Sequence, residues 1–98
     1  MTNMTPEEAF NFVVNLGLKR DQRSEQIIMT DPRWSFRYAQ DIIEGRWLEA
    51  EPVIMTDHLL TYWYAKYIIK GRWIEAEPVI MENTYWWGEY KHNFNMDI

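Results

Sequence analysis

Cysteine is missing altogether from this 98-residue chain. That absence excludes disulfide staples, thiolate nucleophiles and thiolate metal ligands, and it suits a reducing compartment. Histidine is nearly as scarce. The two that occur, His58 and His92, form no H-x-x-x-H or H-E-x-x-H spacing, so a metal site or a histidine general base has no local framework. With 4 glycines the chain also writes no G-x-G-x-x-G, no Walker-type loop and no G-x-S-x-G. No apolar run approaches the length that spans a membrane, and Met1 to Glu8 carries neither a basic segment nor an apolar stretch of the secretory kind. Cations are outnumbered too: 10 Lys and Arg face 15 Asp and Glu, a formal net charge of −5. Attraction to a phosphate backbone depends on cations displacing counterions, so direct nucleic-acid binding is disfavoured. These gaps predict a soluble, cytoplasmic, non-enzymatic protein with no cofactor and no metal.

Aromatic residues are abundant, with Trp 6, Tyr 6 and Phe 4 in a chain that is 47% apolar. Such a composition folds. A chain of this length buries roughly 65% of the surface its unfolded form exposes, enough for one modest core and one domain over residues 1–98.

The main internal signal is repetition. "GRWLEAEPVIM" from Gly45 returns after a period of 26 residues as "GRWIEAEPVIM" from Gly71, a phrase in which only Leu48 changes, to Ile74. Asp31, Asp57 and Asn83 fall in phase, as do Tyr38, Tyr64 and Tyr90, and Met29, Met55 and Met81. The divergent start keeps the register without a gap, setting Phe10 opposite Phe36, Arg20 opposite Arg46 and Ile28 opposite Ile54. The chain therefore reads as a degenerate unit 5–30, two good units 31–56 and 57–82, and a truncated unit 83–98.

Each unit reads as two helices. Asp31-Pro32 starts the first, because the carboxylate accepts an otherwise unpaired backbone N–H and proline gives up an N–H that had no partner. Asp57, Asn83 and Thr5-Pro6 are placed to do the same. Trp34, Tyr38, Ala39, Ile42 and Ile43 then recur at helical spacing, and Gly45 is placed to end the helix in the left-handed region. Pro52 is tolerated only in a first turn, which sets a shorter second helix at about 48 to 56. The expected helices run at about 6–17, 24–30, 32–44, 48–56, 58–70, 74–82 and 84–92, with boundaries good to a few residues. Trp47, Trp73, Tyr38, Tyr64, Ala39, Ala65, Ile42 and Ile68 form the expected core.

A helix pair this short cannot bury its apolar face alone and must stack on its neighbours, so the same interface is written more than once. The expected fold class is all-α, a short α-solenoid of helix-turn-helix repeats with degenerate terminal units. The polar stretches Lys19–Gln26 and Lys91–Ile98 read as ends altered to face water. Tyr38 to Asp57 and Tyr64 to Asn83 also resemble, in their wording "YA…GRW-EAEPVIM", a family of tandem helical repeats met in small proteins of tailed bacteriophages and related viruses. The resemblance covers about two thirds of the chain (residues 27–91). It departs at Leu48 and Ile74, where that family usually has proline, and at His58, where it has proline after Asp. The family has largely no assigned activity; the resemblance implies a helical fold and a viral setting, hence a host cytoplasm.

Arg46, Glu49 and Glu51, with copies Arg72, Glu75 and Glu77, could be read as an acidic array or a metal site. Their recurrence inside one chain marks a structural part instead: Arg46 is expected to pair with Glu49 or Glu51, and Trp47 to fill the junction of the two helices. Differences between the units are more informative. Positions 33, 37, 41 and 44 lie on one helical face that points away from the stack. In the first good unit they read Arg33, Arg37, Asp41 and Glu44; in the second, Leu59, Trp63, Tyr67 and Lys70, with Lys66 beside them. A wet face bearing three large apolar residues is the candidate protein-binding site, and Tyr85, in phase with Leu59, is its candidate extension. The expected partner is a host protein modulated or inhibited by this chain, with a homodimer as a further use of the face. An acidic DNA-mimic decoy and a structural virion or assembly component are the alternatives.

Overall fold

The computed structural model describes residues 3–96; the ends of the last unit at 97–98 and of the chain at 1–2 lie outside it. Among the described residues the only regular secondary structure is helical, with no strand. Helix α1 spans Pro6–Leu16 and α2 spans Gln22–Ile28. Helix α3 runs Pro32–Tyr38 and widens into a π-helical stretch, Ala39–Ile43. A 3-10 turn, Leu48–Ala50, leads into α4, Glu51–Ile54. The next unit repeats this with α5 (His58–Trp63, then a π stretch Tyr64–Ile69) and α6 (Glu77–Met81 after the 3-10 turn Ile74–Ala76). Helix α7 covers Thr84–Asn93.

The starts are capped as residue chemistry requires. Asp31 accepts from the amides of Arg33 and Trp34, Asp57 from Leu60 and Asn83 from Trp86, at 2.9 to 3.1 Å. Thr5 and Glu8 exchange both bonds of a capping box. Pro52 and Pro78 sit in first turns, where no N–H is missed.

The helix ends differ from expectation. Gly45 does not take the left-handed conformation; Glu44 does, at φ 60°, and Lys70 does in the next unit, at φ 63°. The cause is the widened last turn: the Glu44 and Lys70 amides donate five residues back, to the Ala39 and Ala65 carbonyls, at 2.8 and 2.7 Å. An i→i+5 turn brings the chain reversal forward by one position.

Helices α1, α3, α5 and α7 pack successively on one another, and α2, α4 and α6 each pack on the helix before them. The core contains Trp47, Trp73, Tyr38, Tyr64, Tyr90, Ala39, Ala65, Ile28, Ile54 and Ile80. Ile42 and Ile68, expected inside, are only partly buried, because the π turn carries them toward the rim.

Adjacent units are joined by one bonding pattern three times. Arg46 grips Glu51 through two parallel bonds of 2.8 and 2.9 Å, so the partner of the arginine is Glu51 and Glu49 is left exposed. Tyr64, from the following unit, donates its hydroxyl to Glu51 Oε2 at 2.7 Å and accepts from the Trp47 amide at 2.7 Å. Arg72, Glu77, Tyr90 and the Trp73 amide repeat this. So do Arg20, Glu25, Tyr38 and the Asp21 amide. The Lys19–Gln26 stretch is thus more than a wet end, since Glu25 and Ser24 are buried within it. Burial of Glu51 and Glu25 is tolerable because each carboxylate receives a bidentate guanidinium and a hydroxyl.

Candidate protein-binding face

The face built by α3 and α5 follows from what each unit places in phase. At one position the first good unit has Arg37, whose guanidinium lies over the rings of Phe10 and Trp34 at 5.0 and 5.1 Å while facing Asp41 at 3.8 Å. The next unit has Trp63 there, leaning on Phe36 with ring centroids 6.2 Å apart. Arg37 and Trp63 therefore use the same support, the aromatic ring of the preceding unit. Arg37 adds a charge to the surface, and Trp63 is 36% exposed.

Tyr67 meets Trp63 edge-on at 6.4 Å and is 46% exposed. Phe36, Gln40, Trp63 and Tyr67 line a hollow of about 240 Å³. A second hollow of about 160 Å³, which shares Gln40 and Tyr67, continues past Ile68 to Glu44 and Lys70. The two make one groove between successive helices, apolar at one end and bearing both charge signs at the other. Such a groove suits the side chains of an amphipathic segment.

The predicted residues are only partly brought together. Trp63, Tyr67 and Lys70 line the groove, whereas Leu59 is half-buried at the start of α5 and takes no part in its lining. Lys66 is held down instead of standing at the rim: its ammonium sits over the Tyr62 and Tyr67 rings at 5.8 and 5.1 Å. Tyr85 is 64% exposed and lies edge-on to Trp86 at 4.7 Å; Trp86 stacks on the buried Tyr62, and none of the three lines the groove. Phe36 and Gln40 belong to the site and were not anticipated. Phe36 carried a signal, since Phe10, Phe36 and Tyr62 put an aromatic ring at one phase in three units; Gln40 carried none.

His58 lies apart from this face, its Nε2 at 3.1 Å from Glu82 Oε1. Among the described residues no group of three His, Asp or Glu side chains is arranged to hold a metal ion, and no helix is long and apolar enough to cross a membrane. Of the four carboxylates that could be read as a repeated acidic array, Glu51 and Glu77 are paired with Arg46 and Arg72, and Glu49 and Glu75 are exposed. Comparison with protein-family models, with curated proteins and with solved structures returned no match.

Proposed function

We infer that this chain is a non-enzymatic protein-binding module, a single domain built as a short α-solenoid, that takes an apolar segment of a partner into the groove of Phe36, Gln40, Trp63 and Tyr67. The observation that carries this is the uncovered indole of Trp63 at a position where the preceding unit carries a solvated Arg37–Asp41 pair. The solenoid reading is supported by the threefold Arg–Glu–Tyr joint and by principal extents of 52 × 22 × 17 Å. The resemblance to phage repeat proteins makes a host protein the natural partner and modulation or inhibition the natural effect. An acidic decoy of DNA has less to stand on, because Glu25, Glu51 and Glu77, the carboxylates that recur in three units, are already paired with arginines.

The test grafts the preceding unit's surface onto this one. Trp63→Arg/Tyr67→Asp reproduces the Arg37–Asp41 pair over Phe36, so the variant is expected to keep its fold. Wild type and variant would be compared in affinity capture from a host lysate, with circular dichroism confirming equal helicity. Loss of the captured partner in the variant is the expected result. Equal recovery from both removes the groove from the interface.

A further inference from the structure

The N-terminal unit contains a hollow whose occupant can be read from its filled copies. In the second unit the Trp47 indole packs on the Tyr38 ring, with centroids 4.8 Å apart, and is 1% exposed. In the third, Trp73 packs on Tyr64 at the same 4.8 Å and is 2% exposed. One period earlier these two positions are Asp21 and Phe12. No indole is supplied, and Phe12 is left 42% exposed. Phe12 and Asp21 line a hollow of about 500 Å³, completed by Met4, Ser24, Ile27 and Arg23. Its volume is in the range of small-ligand clefts. Ser24 and Ile27 are the in-phase counterparts of Ala50 and Val53, so the hollow occupies the place where the repeat seats its tryptophan.

The rim carries one exposed cation, while the Asp21 carboxylate in the lining is already engaged by Ser24, which donates to it from its amide and its hydroxyl. Position 23 corresponds to Glu49 and Glu75, and in the first unit it is an exposed Arg23. In the third unit the indole is also approached by the preceding unit: the Arg46 guanidinium lies 6.0 Å from the Trp73 ring.

We propose that the end of the molecule formed by α1 and α2 is a binding site for a tryptophan side chain carried on an acidic segment of a partner protein. The indole seats against Phe12 and Ile27 as Trp47 seats against Tyr38, and an acidic neighbour in the segment pairs with Arg23. This site lies away from the Trp63 groove, and either can exist without the other.

Amide chemical-shift titration of the full-length chain with three capped tripeptides tests it: Asp-Trp-Glu, Asp-Ala-Glu and Lys-Trp-Lys. Asp-Trp-Glu is expected to give saturable shifts at Met4, Phe12, Ser24 and Ile27, with Asp-Ala-Glu weaker by at least roughly tenfold. Arg23→Glu, an exposed change to the residue type of the other units, should remove the preference over Lys-Trp-Lys. Asp21→Trp should fill the hollow and abolish binding, though it also removes a cap from α2. Phe12→Ala, at an exposed ring, therefore serves as the independent variant and should weaken Asp-Trp-Glu by a similar factor. The proposal is overturned if no saturable shift appears, if the alanine peptide binds equally, or if the shifts fall on Trp63 and Tyr67.

Discussion

A single tyrosine hydroxyl carries much of the joint between units. Tyr64 is wholly buried, and its oxygen both donates to Glu51 and accepts from the Trp47 amide. Tyr64→Phe leaves a buried N–H without a partner and takes one bond from a buried carboxylate, a change that should cost about 1–3 kcal/mol. A lowered urea midpoint at unchanged slope would report it, with exposed Tyr85→Phe as the silent control. The same joints set the pH limits. Burial opposes ionisation of Glu25, but Arg20 and Tyr38 outweigh it and hold the carboxyl below its ordinary 4.5. Glu77 is held down chiefly by its bonds to Arg72. Burial above all pushes Tyr38 and Tyr90 up to about 12, and Tyr64 is also raised. The depressed carboxyls stabilise the fold above their ordinary value, and that contribution is lost as pH falls below 4.5 toward their folded values. The raised phenols contribute fully below 10 and lose it between 10 and about 12. Thermal melts across pH should therefore show a plateau with an acid and an alkaline shoulder. Tyr38→Phe/Tyr64→Phe/Tyr90→Phe should flatten the alkaline one.

Among the elements, the helix starts were legible because Asp, Asn or Thr followed by the first turn acts through local chemistry alone. The ends of α3 and α5 were not. Gly45 looked like the left-handed residue, yet the π turn hands that role to Glu44, and a Cβ built on Gly45 would meet nothing within 4 Å. A non-glycine residue in the left-handed region is strained by about 1–2 kcal/mol. Glu44→Gly and Lys70→Gly should thus each stabilise by about 0.5–1 kcal/mol after glycine's greater unfolded-state freedom is counted. Gly45→Ala should be near neutral. Denaturant midpoints for the three variants check this, and destabilisation by Gly45→Ala with no gain from Glu44→Gly would show that the reversal lies where the sequence suggested. Proline placement was equally readable: Pro52 and Pro78 forced short second helices, and α4 and α6 are short.

For the whole molecule, the groove of Trp63 and Tyr67 leaves apolar surface that free soluble proteins tend to cover. A two-fold dimer lets each groove receive its own copy. Sedimentation of the pure chain is expected to show association that strengthens with concentration, and Trp63→Arg/Tyr67→Asp is expected to sediment as a folded monomer. A variant that still associates would place the contact elsewhere on the surface.

The sequence by itself determined the helical class, the period, the helix starts and the aromatic core, because capping, proline exclusion and apolar spacing act within one turn or one unit. It also carried the joint in plain sight, as Arg20, Glu25 and Tyr38 recurring in phase through Arg72, Glu77 and Tyr90. What those residues do was decided only by the tertiary structure. The tyrosine reaches back across 13 residues to its glutamate and 17 to the backbone amide, a distance no local rule covers. The same holds for the candidate site. Trp63 was visible as an odd residue on a wet face, but the groove exists because Phe36 and Gln40 of the preceding unit stand beside it. The fate of Lys66, drawn over Tyr62 and Tyr67 instead of left at the rim, likewise depended on which rings packing brought within reach.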